Sequence, residues 1–305
     1  MWFKNLALFQ FTEQFTLSAK ELEKYLTEHA FSPCTKSVPV AMGWVVPSLA
    51  VNAPIVYAKS GFMMISFKVQ EKIVPAGVIK ELLDEKIEEV MLKESRKVKK
   101  KEKDRLKEEI YQSLLPRAFN RNTFIDAYID KKAGWLLVNA SSVKKAELLT
   151  MNLRKALGGL KIFTPEVLPV SMLLTKWLKT NQYPQDLTIE DQCVLQDNKD
   201  TLGIIRCQRQ NLFTDEIISL INSGREVIEL GLSWQDQLSF VINDELIFKS
   251  LKFLETIEDQ VNNIVFENKQ ECFDANFIIM AETLRKFIAF IMQVFGKESV
   301  TNETV

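Results

Sequence analysis

The chain has a single histidine, His29, in 305 residues, and that scarcity removes more chemistry than any other feature of its composition. Histidine-rich metal sites are excluded, and a histidine-based triad has one residue to draw on. Glycine and proline number only 10 and 9, too few for long flexible linkers or low-complexity tracts. The four cysteines (Cys34, Cys193, Cys207, Cys272) are scattered with no CxxC pair, a pattern of buried free thiols in a reducing cytoplasm. No P-loop, GxGxxG or HExxH motif occurs, and Gly296-Lys297 is followed by Glu298 where a phosphate loop has Ser or Thr. Long uninterrupted hydrophobic runs are missing too. The greasiest stretch, "FIIMAETLRKFIAFIMQVF", is broken by Glu282, Arg285 and Lys286, which argues against a membrane span. "MWFKNLALFQF" at the N-terminus lacks the basic segment, apolar run and small-residue site of a signal peptide.

What the chain does have is charge, unevenly spread. The net charge is −1, yet residues 1–168 hold 27 basic and 19 acidic side chains (+8), and residues 169–305 hold 12 and 21 (−9). Such a polarised chain can show a basic surface to a polyanion while its acidic surface faces elsewhere. The extreme is "KESRKVKKKEKDRLKE", where nine basic residues between Lys93 and Lys107 meet only Glu94, Glu102 and Asp104, a local +6. A charge run of this kind is either a solvated helix tip or a polyanion contact.

The pattern of elements is α+β. "FKNLALFQF" (3–11) has strand length, and Ser18 with Glu21 makes a capping box for the helix "SAKELEKYL". His29 falls beside its apolar face of Leu22, Tyr25 and Leu26 and reads as a packing residue rather than a base or ligand. "MGWVV", "IVYA" and "FMMISFKV" read as strands, the last two joined through Lys59-Ser60-Gly61. From 76 to 115 the period turns helical, with Ile79, Leu82, Leu83, Ile87, Val90 and Met91 in one stripe and Leu106, Ile110 and Leu114 in another. This predicts two helices, or one long bent one, projecting with the lysines near the exposed end. "TFIDAYID" and "WLLVNA" form a hairpin, followed by a helix ending at Gly158 and the strand "KIFTPEVL". In the acidic half, strand 203–210 precedes a helix from Thr214 to Gly224 and strands near 226–234 and 237–242. Residues 273–295 close as a helix that is apolar nearly all round, to be buried in the monomer or against a second copy. The expected divisions are a basic α/β body (1–75 and 116–168), a projecting helical tip (76–115) and an acidic α+β region (169–305).

One catalytic candidate deserves a hearing. Asp126 and Asp130 share one face of a strand beside Lys131 and Lys132, the side-chain types of a metal-dependent nuclease, although no third carboxylate is evident. Solubility at a hairpin end explains the same residues.

Seven separated pieces carry a resemblance: "MWFKNL" at the start, "MGWV" at 42, "EKIVP" at 71, "LLPRAF" at 114, "KKAE" at 144, "LRKALG" at 153 and "FDANFIIM" at 273. Together and in this order they resemble the recombination-associated protein RdgC family of Gram-negative bacteria, from residue 1 to about residue 296. The closing "KESVTNETV" adds nothing to it. The resemblance implies a nucleoid-associated cytoplasmic protein that binds double- and single-stranded DNA with little sequence preference. It implies a homodimer closed head-to-head and tail-to-tail into a ring, which restrains a RecA-type recombinase by occupying its DNA. It implies no catalysis, cofactor or metal.

On that implication, phosphate-contact candidates are Arg96, Lys97, Lys99, Lys100, Lys101 and Lys103 in the basic run, with Arg117, Phe119 and Arg121 in "LLPRAFNR". Phe119 is a wedge against bases, a stacking platform, a latch between subunits, or a packing residue under the helices; the family context favours the latch. Lys144 and Lys145 open a helix, whose positive end suits phosphate. In an extended "RCQRQ", Arg206 and Gln208 face one way and Cys207 and Arg209 the other, which selects Arg209 with Gln210. The dimer-interface candidates are Phe119 and, on the C-terminal helix, Phe277, Met280, Leu284, Phe287, Ile288 and Ile291. A dimeric protein–protein adaptor whose basic run docks an acidic partner is the competing reading, with a nuclease behind it.

Overall fold

The computed structural model describes residues 2–47, 53–197, 203–257, 266 and 268–296. The elements in chain order begin with β1 (Ala7–Phe11), α1 (Ala19–Glu28), β2 (Val40–Val45), β3 (Tyr57–Lys59) and β4 (Phe62–Ile73). Helices α2 (Ala76–Glu94) and α3 (Lys100–Leu114) follow, then β5 (Phe119–Asp130), β6 (Trp135–Val138), α4 (Val143–Leu157) and β7 (Ile162–Phe163). The rest comprises α5 (Val170–Thr180), β8 (Leu187–Asp197), β9 (Ile204–Gln208), α6 (Asp215–Asn222), β10 (Arg225–Trp234), β11 (Leu238–Asn243), β12 (Phe248–Phe253) and α7 (Lys269–Phe295). Every strand pair among the described residues is antiparallel, and the class is α+β as expected.

The chain divides into two units. The first comprises Met1–Tyr25, Val46–Ile65 and Ile125–Val305, and the second Leu26–Val45 and Ser66–Phe124. This differs from the expected boundary near residue 168, because contacts within the first unit run straight across it. Residues 4–6, read from sequence as part of one long strand, leave the β1 ladder and pair with β12. Leu6 N–H donates to Phe248 O at 2.8 Å, Phe248 N–H returns to Leu6 O at 2.9 Å, and Leu251 N–H reaches Lys4 O at 2.8 Å. Residues on either side of position 168 therefore share hydrogen bonds that a split by charge cannot see.

In the first unit β1 lies between β6 and β7, β6 pairs with the second half of β5, and β3 pairs with β4 through the turn at Ser60 and Gly61. Both turn residues have positive φ (50° and 85°), which suits the tight reversal of a two-residue hairpin. A second sheet runs β12-β11-β10-β8-β9. Helix α7 packs against both sets of strands: the Phe277 ring meets Tyr57, Phe62 and Tyr128, while Phe287 meets Trp234, Phe240 and Phe248. Asn268 caps the helix, accepting from Glu271 N–H at 2.9 Å while its amide donates to the Glu271 carboxylate at 3.0 Å. Near that end Asp274 accepts from Tyr57 and, at 2.8 Å, from Lys59. Burial raises the Asp274 pKa, but hydrogen bonds from Lys59, Tyr57 and Gln270 outweigh it and hold the carboxyl below its ordinary value.

This burial corrects one expectation. Phe277, Met280, Leu284, Phe287, Ile288 and Ile291 are all 0–2% exposed in the single chain, so they have no surface left for a second copy. The all-round apolar helix is core because strands surround it.

In the second unit, β2 pairs with the later half of β4, which lies beside the first half of β5. Residues 30 and 31 run alongside β2, with Phe31 N–H donating to Trp44 O at 2.9 Å. A Cβ on Gly43 would stand 2.5 Å from the Phe31 Cα, so only glycine permits that approach. The predicted helical stretch is two helices, broken at Ser95 with φ 50° and packed through Ile79, Leu106 and Ile110. The capping box forms at α1, with the Glu21 carboxylate accepting from Ser18 N–H at 2.8 Å. Strand β8, helix α5 and strand β12 were not anticipated from the sequence.

Two outcomes are expected. Phe287→Ala, which empties a ring site shared by three aromatics, should cost about 3–5 kcal/mol in urea unfolding. Asp274 has a folded pKa below its unfolded one, so its contribution is present above the unfolded value and lost as pH falls through the folded value. Asp274→Asn should remove that portion of the acid sensitivity, read as a flatter stability–pH curve below the usual carboxylate range.

Candidate nucleic-acid interface

The basic run spans the end of α2, the connection to α3 and the first half of α3. It opens where the sequence runs out of apolar residues: the α2 stripe ends at Met91, and α3 buries nothing before Leu106. Lys97, Lys99, Lys100, Lys101 and Lys103 are all exposed, and no salt bridge joins them to an acid among the described residues. Lys93 and Arg105 sit 3.9 and 3.4 Å from Glu89 and Glu109 one turn away on exposed faces, which is worth little.

Arg96 has a different job from the one the sequence proposed. Its guanidinium donates to Glu94 at 2.5 Å and to both Glu102 oxygens at 2.8 Å, tying the end of α2 to the first turn of α3. The Glu102 carboxyl is held below its ordinary pKa, chiefly by the hydrogen bond from Arg96. Arg96 shapes the connection and has little left to offer a phosphate.

The start of α3 mixes both signs, with Glu102 in the first turn among lysines. The cap position is Lys99, with no side-chain hydrogen bond to the first-turn amides, and Lys100, Lys101 and Lys103 follow. The positive end of a helix dipole favours an anion, and acidic residues such as Glu102 are the common occupants. Stacking lysines there raises local potential at a cost to helix stability. The arrangement suits a strongly anionic ligand.

The other candidates are spread out. Arg117 is exposed in the 3-10 turn Leu115–Arg117 after α3, and Phe119 opens β5 with 86% of its surface exposed. Helix α3 has 15 residues, so about 20 Å separates its lysine-rich start from this segment. The two are not one contact. Arg121 is paired with Glu71 at 2.6 Å, which weakens the picture of an aromatic between two free arginines. In the first unit Lys144 is exposed and Lys145 half-buried at the start of α4, where Ser142 caps Lys145 N–H at 3.4 Å. Arg209 is exposed, but it does not continue the strand alternation. Strand β9 stops at Gln208, Arg209 takes φ 56°, and with Gln210 it lines an open groove of about 430 Å³ that also contains Glu190 and Asp191. Those carboxylates oppose a polyanion there.

Residues 119–124 are exposed on both sides of β5, and the part of β5 paired with β6 is Ala127–Asp130. Among the described residues the opposite edge of this segment from β4 has no strand partner. Phe124 is 50% exposed and lies within 5.7 Å of the Lys68 ammonium, which also sits 4.2 Å over Phe31. Sequence reading missed Lys68 and Phe124. The signal was there: "FNRNT" alternates no apolar face, unlike the "FIDAYID" that follows.

The carboxylate pair of the nuclease hypothesis is structural. Asp130 is 2% exposed and bound by Arg285 at 2.6 and 2.9 Å, with Lys132 and Ala133 N–H groups donating to the same carboxylate. Arg285 in turn stacks 4.3 Å over the Phe62 ring. Asp126 is 6% exposed, and no cluster of three or more metal-ligating side chains occurs among the described residues. No described helix is long and apolar enough to cross a membrane.

The described residues thus form an α+β chain of antiparallel sheets with a lysine-rich helix start. Residues 1–298 match the family described as "Putative exonuclease, RdgC". Relatives called "Recombination-associated protein RdgC" are 37% identical in Pseudomonas syringae pv. tomato and in Pseudomonas aeruginosa, each over 303 residues, covering 98% of this chain and 99% of the relative. That of Tolumonas auensis is 39% identical over 300 residues with the same coverage. The chain belongs to the RdgC family.

Arg285→Ala should leave the Asp130 carboxylate buried without its cation and cost about 3–5 kcal/mol in denaturant unfolding. Loss of less than about 1 kcal/mol would mean the pair is solvated, since exposed pairs contribute no more.

Proposed function

We propose that this protein binds double-stranded DNA, and single strands too, through phosphates and without reading sequence. The observation that carries this reading is the start of α3, where the Lys99 side chain makes no cap and Lys100, Lys101 and Lys103 follow with Lys97 beside them; the first-turn Glu102 is held by Arg96, and no salt bridge joins any of the five lysines to a carboxylate among the described residues. Flexible exposed lysines neutralise phosphates but discriminate poorly between base edges. The name "recombination-associated" carried by its relatives supports a role in recombination for that DNA. In this reading the protein acts in the cytoplasm on the nucleoid as a steric regulator, occupying DNA that a RecA-type recombinase filament would otherwise use.

The protein closes around DNA as a ring-shaped homodimer. With the C-terminal helix buried, support for self-association moves to Phe119 and the unpaired edge at 119–124. An exposed strand edge invites pairing with another chain, and a large ring at its start supplies an anchor for the partner. Lys144, Lys145, Arg117 and Arg209 with Gln210 remain secondary candidates for phosphate contact.

A salt titration on two unrelated duplexes of equal length tests the first claim. Equal affinities and a log–log slope of several units are expected, falling by about 3 in a Lys99→Ala, Lys100→Ala, Lys101→Ala variant at roughly one unit per lost phosphate contact. Negligible binding in dilute buffer would favour the adaptor reading, with the basic run docking an acidic protein. Magnesium-dependent shortening of labelled DNA would instead support the exonuclease of the family description. For the dimer, Phe119→Asp should weaken self-association at least tenfold in sedimentation velocity; an unchanged mass would remove Phe119 from the interface.

A further inference from the structure

Among the described residues the second sheet ends on β9, an edge strand paired with β8 alone, and the register sets Cys193 opposite Cys207. Both thiols lie in the first unit's apolar core, 2% and 6% exposed. Asp197 N–H donates to Gly203 O at 2.9 Å, marking that pair as hydrogen-bonded. Two steps of the alternation bring the same pair type to Cys193 and Cys207, with Cα atoms about 5.5 Å apart, inside the roughly 4.4–6.8 Å span of disulfides, while facing Cβ atoms in such a pair lie near the wide end of about 4.5–5.5 Å, so closure has to draw edge strand β9 toward β8. The remaining cysteines are differently placed: Cys34 Sγ donates to Gln70 O at 3.4 Å, and Cys272 Sγ accepts from the Asn276 amide at 3.3 Å. Neither faces another cysteine in the described ladders.

We propose that Cys193 and Cys207 form a dithiol modification site that a small peroxide closes to a disulfide. Cys207, the less buried of the two, loses its proton and attacks one peroxide oxygen. The O–O bond breaks and one water leaves, with the sulfur now a sulfenic acid. Cys193 then attacks the Cys207 sulfur, the S–O bond breaks, and a second water carries off the remaining proton. Two thiols give up two electrons and two protons, and hydrogen peroxide is reduced to two waters. Burial, reinforced by the neighbouring Cys207, pushes the Cys193 thiol up to about 12, so the closure is slow at neutral pH. A small oxidant suits the buried position better than a bulky disulfide.

The consequence is local. The crosslink fastens an edge strand that presents Arg206 and Gln208 outward and leads into Arg209 and Gln210. It converts a strand held from one side by hydrogen bonds into one held covalently.

The test uses the full chain treated with hydrogen peroxide, then denatured for thiol counting and digested for mass spectrometry. Expected are a fall from four free thiols to two, a loss of two hydrogen masses, and one linked peptide joining Cys193 to Cys207. Amide exchange across Ile204–Gln208 should slow in the oxidised form. A Cys34→Ser, Cys272→Ser variant should keep the link and Cys207→Ser should lose it. Four surviving thiols, oxygen additions without a link, or a link made through Cys34 or Cys272 would overturn the proposal and leave the pair as two small packing residues. None of these readouts involves DNA, so the outcome is independent of the proposed function.

Discussion

The burial of α7 is the constraint on which the first unit depends. One 27-residue helix gives Phe277 to the Tyr57–Phe62–Tyr128 cluster, Phe287 to Trp234, Phe240 and Phe248, and Phe295 to Trp177. Residues far apart in the chain are thereby held by one rigid element. Its polar groups are spent inside the same unit: Asp274 receives Tyr57 and Lys59, and Arg285 satisfies the buried Asp130. The six apolar residues Phe277, Met280, Leu284, Phe287, Ile288 and Ile291 are used as core, while Phe273, Ile279, Phe290, Met292 and Val294 are only partly covered.

The candidate DNA-contact surface follows the opposite principle. Helices α2 and α3 bury little beyond Ile79, Leu106 and Ile110, so their joined ends can carry charge that a core would reject. Arg96 illustrates the division of labour. It neutralises Glu94 and Glu102, fixing the connection and leaving the surrounding lysines as the net positive charge. The lysines at the start of α3 oppose the helix dipole, a local conflict that the first-turn Glu102 offsets only in part.

The sequence was most informative where a signal is local. Ser18 with Glu21 specified a helix start, Ser142 and Gly158 bracketed α4, and the lysine run foretold an exposed, uncompensated cluster. It was least informative where two partners distant in sequence decide the outcome. Asp130 looks like a solvent-facing hairpin carboxylate until Arg285, 155 positions on, closes over it. The direction of Arg209 depended on β9 ending one residue earlier than an extended reading allowed.

By itself, then, the amino-acid sequence determined the α+β class, the family, the polarised charge and the basic run, because periodicity, capping and side-chain charge are carried by neighbouring residues. Tertiary structure alone decided that α7 is core, that residues 4–6 pair with β12, that Arg96 is engaged, and that Cys193 faces Cys207. Each of these is a choice of partner among many chemically equivalent ones, and packing makes that choice only when the whole chain is assembled.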